Sequence, residues 1–150
     1  MKGKLSSHKL SLAVQYASGA QHLPTRAQLR RWVKVALQRE ASITLRIVDE
    51  PEGRELNKNY RGKDYATNVL TFVYDDAGPL HGDVVICAPV VEREAAAQHK
   101  DLLAHYAHLT LHAALHLQGC EHENDADAAG MEALETALMV KLRYPDPYRT

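Results

Sequence analysis

His108–His122, HLTLHAALHLQGCEH, is the stretch whose reading decides the fold. Residues 105–122 carry five of the nine histidines of the chain. An α-helix turns about 100° and rises about 1.5 Å per residue, so His112 and His116 stand about 40° apart on one face, one turn from each other. Both imidazoles can reach a single ion from there. Gly119 is a natural helix stop, and a chain that reverses at it can bring His122 back to the exposed end of the same face. Three neutral imidazoles with one open position suit a catalytic zinc, whereas structural zinc usually closes with four protein ligands. A lone histidine on a helix is most often a surface or hydrogen-bonded residue. Three at this spacing, on an otherwise apolar helix ended by glycine, favour a metal.

The helix that bears them is expected to start at Asp101 and run to Gln118. Leu103, Tyr106, Thr110, Ala113 and Leu117 form one face, and His105, His108, His112 and His116 a neighbouring stripe. Few positions are charged, so this helix is expected to be central and packed on several sides. His108 continues the spacing by fours, but the arc from 108 to 116 advances about 80° and climbs about 12 Å, too far for one ion to meet all three well. His108 is therefore read as a core residue or a partner to a ligand, and His99 and His105 as surface residues. Cys120 could serve as a soft fourth ligand, but is better read as lining the cleft or packing below it. Glu121, Glu123 and Asp125 could orient a ligand's second nitrogen or cap the final helix; the sequence leaves both open.

Outward from this helix, hydrophobic periodicity sets the other elements. Lys9–Tyr16 alternates through Leu10, Leu12, Val14 and Tyr16 as a half-buried strand. Thr25, with Gln28 three residues on, makes a capping box for a helix whose apolar face is Leu29, Trp32, Val33, Ala36 and Leu37. Its other face carries Arg26, Arg30, Arg31 and Lys34, a basic surface that could meet RNA or simply be solvated. Ser42–Val48 is a second strand, Glu52–Tyr60 a short helix ending at Arg61-Gly62, and Asn68–Tyr74 a third strand. The short turn-rich Asp75–Leu80 joins it to Gly82–Cys87, which favours an antiparallel hairpin. Ala88–His99 is helical. Asn124 or Asp125 can cap a last helix whose Met131, Leu134 and Leu138 face the core, and Pro145 and Pro147 stop it. The order βαβαββααα predicts an α+β fold rather than a doubly wound sheet.

Length and composition agree. The 150 residues suit one domain over 1–150 with a proper core, and 45% hydrophobic against 25% charged residues is an ordinary globular balance. Net charge is −1, so any nucleic-acid contact must use a local patch. No run approaches the roughly 18 apolar residues of a membrane span, and MKGKLSSHKL lacks a signal peptide's apolar stretch. Only two cysteines occur, Cys87 and Cys120, which points to a reducing cytoplasm rather than a disulfide framework.

HLTLHAALHLQGCEH resembles the signature of the YbeY family of bacterial single-strand endoribonucleases, approximately H-G-x-L-H-L-x-G-Y-D-H. Asn57–Phe72, NKNYRGKDYATNVLTF, resembles the family's second motif, Gly82–Cys87, GDVVIC, its third, and MEALE from Met131 its C-terminal helix. Together they cover residues 43–143 in the family's order. The resemblance implies one small α+β domain with a mixed sheet of about four strands against the histidine helix. It implies His112, His116 and His122 as ligands of one zinc ion, and Arg61 as a catalytic residue. It further implies cleavage of single-stranded RNA, in particular ribosomal RNA: 3′-end maturation in the small ribosomal subunit, and ribosome quality control. No DNA or membrane partner is implied. Four positions depart from the family pattern: Ala113 for glycine, Cys120-Glu121 for tyrosine-aspartate, Asn68 for an acidic residue and Val73 for proline.

The chemistry is consistent with that resemblance. A zinc-bound water can reach a pKa of about 7, and zinc can polarise a phosphoryl or carbonyl oxygen. The peptidase pattern H-E-x-x-H places a glutamate beside the first ligand, but here Ala113, Ala114 and Leu115 intervene, which weakens a peptidase or amidase reading. Phosphodiester cleavage needs a cation set against developing charge, and the planar guanidinium of Arg61 suits phosphate. The plainer reading of Arg61 is a surface arginine paired with Asp64, and Lys63 is a weaker phosphate contact. The remaining rival is a non-catalytic ribosome-assembly factor with a structural metal.

Overall fold

A computed structural model describes residues 8–75, 78–119 and 125–148. The elements follow the expected order: β1 (Leu10–Ala17), α1 (Arg26–Ala36), β2 (Ala41–Val48), α2 (Glu50–Arg61), β3 (Val69–Asp75), β4 (Leu80–Cys87), α3 (Ala88–Ala97), α4 (Leu102–Leu117) and α5 (Asp125–Lys141). The strands lie in the order β1-β2-β4-β3. β1–β2 and β2–β4 pair parallel, and β3–β4 forms the antiparallel hairpin. Parallel neighbours need a crossover connection; α1 supplies the first, and α2 with β3 the second. The result is the α+β arrangement with a mixed four-stranded sheet.

Side-chain alternation divides this sheet into two covered faces. Ile43, Leu45 and Ile47 of β2 and Val84 and Ile86 of β4 join the core with α1 and α4. Val48, Val85 and Cys87 turn the other way, with Leu56 of α2 packed against them. Burial on both faces explains why β4 reads as a nearly continuous apolar run.

Local signals place the helices. Thr25 Oγ1 accepts from the Gln28 amide at 3.1 Å while Gln28 Oε1 accepts from the Thr25 amide at 2.9 Å, the expected capping box. Two arginines on the basic face of α1 serve the edge strand: Arg26 donates to the Val14 carbonyl at 3.3 Å and Arg30 to that of Leu10 at 3.0 Å. They occupy carbonyls that an edge strand otherwise leaves bare. Asp101 caps α4 by accepting from the Ala104 amide at 3.0 Å.

Twelve of the sixteen residues of α4 are buried, which makes it the central helix. Leu111 and Leu115 are fully enclosed, each worth about 1.5–3 kcal/mol relative to exposure. α4 is packed by α1, α3, α5 and the β3–β4 hairpin. Its C-terminal end presses closely on that hairpin. A Cβ at Gly82 would sit 2.8 Å from the Phe72 carbonyl oxygen and 3.0 Å from Leu117 Cδ2, so only glycine fits without a shift. Among the described residues no helix is long and apolar enough to cross a membrane.

Candidate metal centre

α4 presents His112 and His116 as the sequence spacing requires. Their rings lie 6.2 Å apart, centroid to centroid, and are nearly parallel at 11°. His108 is also 6.2 Å from His112 but turned by 69°, so it breaks the stack rather than extending it. His112 and His116 are half-buried and reachable from outside, whereas His108 is buried. His108 is therefore a core residue, one of the two readings open to it.

What it partners is Glu135, on the inner side of α5. His108 Nε2 donates to Glu135 Oε1 at 2.6 Å, and His112 Nδ1 donates to Oε2. A third donor, the Tyr148 hydroxyl, also reaches Oε1. Glu135 is completely buried. Burial alone would push its carboxyl up, but the hydrogen bonds from His108, His112 and Tyr148 outweigh burial and hold it at about 2. The Tyr148 phenol is pushed up, by burial first and then by the adjacent Glu135 anion. The sequence reading missed both residues. A signal existed for Glu135: Met131, Glu135 and Met139 recur every four residues, and the two methionines are buried, so the acid occupies a core position. Tyr148, beyond Pro147, carried no comparable signal.

A second, partly buried cluster lies one helical turn toward the start of α4. His105 was expected at the surface and is 5% exposed. The correction has a tertiary cause, because α3 packs on α4 and brings Glu94 to His105 Nε2 at 2.9 Å. Burial lowers the His105 pKa against the opposing pull of Glu94. Asn68 completes the cluster, donating Nδ2 to both Glu94 oxygens at 3.1 and 3.2 Å. The amide at this departure from the family pattern is thus matched to an acid already present. His99 is exposed, as expected.

Arg61 ends α2, and Gly62 closes the helix in the left-handed conformation at φ 70°. The suggested pair with Asp64 does not form: Asp64 binds Arg54 at 2.7 and 3.1 Å. Arg61 is exposed and has no ion-pair partner among the described residues. α2 and α4 contact different faces of the sheet, so Arg61 and the histidines stand in different layers. They share the edge strand β3, which packs on α4 and meets the last turn of α2 where Tyr60 sets its ring edge-on to Phe72 at 5.0 Å.

The third expected ligand, His122, lies outside the described residues, as do Cys120, Glu121, Glu123, Asn124 and the side chain of Asp125. Among the described residues no three metal-competent side chains form a group. The residues in view fit a zinc ion in their donor chemistry: two imidazoles one turn apart, one with its Nδ1 held by a carboxylate. His116 Nδ1 is buried with no partner among the described residues.

The profile of the endoribonuclease YbeY family matches residues 14–143. A protein of Nitrosospira multiformis named endoribonuclease YbeY is 56% identical over 155 residues, covering 93% of this chain and 82% of its own length. One of Thiobacillus denitrificans with the same name is 57% identical over 144 residues, covering 95% of this chain and 98% of its own. The solution structure of a Thermotoga maritima protein shares the fold, with a TM-score of 0.58 at 23% identity over 93% of this chain and 99% of that one. On a profile match across most of its length and relatives 56% and 57% identical, this chain belongs to the endoribonuclease YbeY family.

Proposed function

We propose that this protein is a zinc-dependent endoribonuclease that cleaves single-stranded RNA. Its substrate class is ribosomal RNA, its work the 3′-end maturation of small-subunit rRNA and ribosome quality control, and its place the cytoplasm. The observation that carries the reading is the pair His112–His116, stacked on the central helix with His112 Nδ1 tied to a buried carboxylate, in a chain whose relatives are named endoribonuclease.

His112, His116 and His122 would hold the ion. Bound there, zinc supplies Lewis acidity toward a phosphoryl oxygen. Arg61 offers paired donors to non-bridging phosphate oxygens. Asp64 does not compete for it, being engaged by Arg54. Tyr60 and Tyr65, exposed beside Arg61 in the chain, offer ring faces on which unpaired bases can stack. Paired bases have no free faces, which favours single strands.

The test is incubation of purified protein with a single-stranded RNA and its duplex, alongside metal analysis and a His116→Ala control for contaminating nuclease. Zinc near one equivalent, cleavage of the single strand, and loss of both in His116→Ala are expected. Equal cleavage by the control, or by protein stripped of metal, would overturn the reading.

A further inference from the structure

Glu135 is a fully buried acid to which the family resemblance assigned no role. Carboxylates are rarely enclosed unless satisfied, and this one is satisfied by three side-chain donors from two other segments: His108 and His112 of α4, and Tyr148 beyond α5. The donors converge on two oxygens and hold the carboxylate from more than one side, so it cannot swing away from His112. Glu135 Oε2 meets His112 at Nδ1, and an acceptor placed there selects the ring form that carries its proton on that nitrogen. Ligation by His112 then falls to Nε2. Tyr148 is itself held in place. Its amide donates to Asp146 Oδ1 at 2.8 Å, Thr136 Oγ1 donates to the same oxygen at 3.3 Å, and Lys100 Nζ donates to the Pro147 carbonyl at 2.6 Å. The segment after α5 is thus fastened to α5 and to the α3–α4 turn, and it delivers one hydroxyl to the acid. The Tyr148 ring also stands edge-on to His108, 5.3 Å between centroids.

We infer that Glu135, anchored by Tyr148 from the C-terminal segment, is the positioning residue of the metal centre, fixing His112 in its Nδ1–H tautomer and aiming Nε2 at the ion. The inference rests on the zinc reading above. Histidine ligands in general hold their orientation by donating the second nitrogen to such an acceptor, and loss of that acceptor weakens metal binding about 10–100-fold.

The experiment measures zinc affinity by competition with a chromogenic chelator, and the ring tautomer by long-range proton–nitrogen spectra of the histidine side chains, in wild type, Glu135→Gln and Tyr148→Phe. Wild type is expected to bind zinc and to show His112 as the Nδ1–H form before metal is added. In Glu135→Gln the affinity falls about 10–100-fold and the His112 signals move toward a mixture of tautomers, which a purely structural role would not produce. Tyr148→Phe, a change at a partly exposed ring that leaves the core intact, weakens binding by a smaller factor, about threefold to tenfold. If Glu135→Gln proves unfolded by circular dichroism, Tyr148→Phe decides the matter. Wild-type affinity and an unchanged His112 tautomer in the folded variants would overturn the positioning role while leaving the zinc reading standing. A wild type that binds no zinc would overturn both.

Discussion

Replacing Asn68 by aspartate sets a second carboxylate against Glu94, where the amide now donates to both oxygens at 3.1 and 3.2 Å. The two hydrogen bonds become a like-charge contact. With charge centres about 4 Å apart and an effective dielectric near 20, the repulsion is ~4 kcal/mol. The chain can escape part of this by taking up a proton. Protonating a carboxyl of ordinary pKa near 4 costs about 1.4 kcal/mol per pH unit above it, hence ~5 kcal/mol at about pH 8 but only ~1.4 at about pH 5. The nearby imidazole of His105, 2.9 Å from Glu94, gives a second route. Its protonation costs ~2 kcal/mol at about pH 8 from an ordinary pKa of about 6.5, and more because burial lowers that pKa. Lys100 and His108 also bear on His105 and oppose its charging. The expected penalty is therefore about 2–4 kcal/mol at pH near 8, shrinking to ~1.4 or less near pH 5. The sign follows from linkage. The folded state raises a carboxyl pKa, so the penalty is absent below the unfolded value, near 4, and complete above the raised folded value. Urea unfolding of wild type and Asn68→Asp at both pH values measures it. Equal destabilisation at the two, or a variant as stable as wild type near pH 8, would refute the electrostatic account of this cluster.

Other consequences are more direct. Gly82→Ala places a methyl 2.8 Å from the Phe72 carbonyl oxygen and should cost about 1–3 kcal/mol as overpacking does; a urea midpoint unchanged from wild type would contradict the close seating of α4 on the hairpin. Thr25→Ala removes one half of the α1 capping box and should lower stability by ~1 kcal/mol, read as a shift in thermal midpoint with RNA cleavage unaffected. Arg61→Ala, at an exposed position, should leave stability within about 0.5 kcal/mol and zinc content unchanged. Its RNA cleavage should nevertheless fall by about 100-fold or more, as when one transition-state donor is lost. Cleavage at the wild-type rate would remove Arg61 from the phosphate contact.

The sequence by itself determined the features that depend mainly on neighbours within a turn or two. Alternation and 3.6-residue periodicity yielded the βαβαββααα order, Thr25 and Gln28 the start of α1, Asp101 the start of α4, and the four-residue spacing the shared face of His112 and His116. Motif resemblance, extended along 43–143, reached the family. The tertiary structure alone decided which distant groups meet. The strand order β1-β2-β4-β3 with two parallel pairs, the burial of His105 under α3, the capture of Asp64 by Arg54 in place of Arg61, and the meeting of Glu135 with His108, His112 and Tyr148 all came from packing. The physical reason is range. Helical and strand patterns are set by backbone geometry repeating every few residues, whereas a hydrogen bond between His112 and Glu135 joins residues 23 apart in the chain. It forms only once two helices have packed and the water that would otherwise solvate that carboxylate has been expelled.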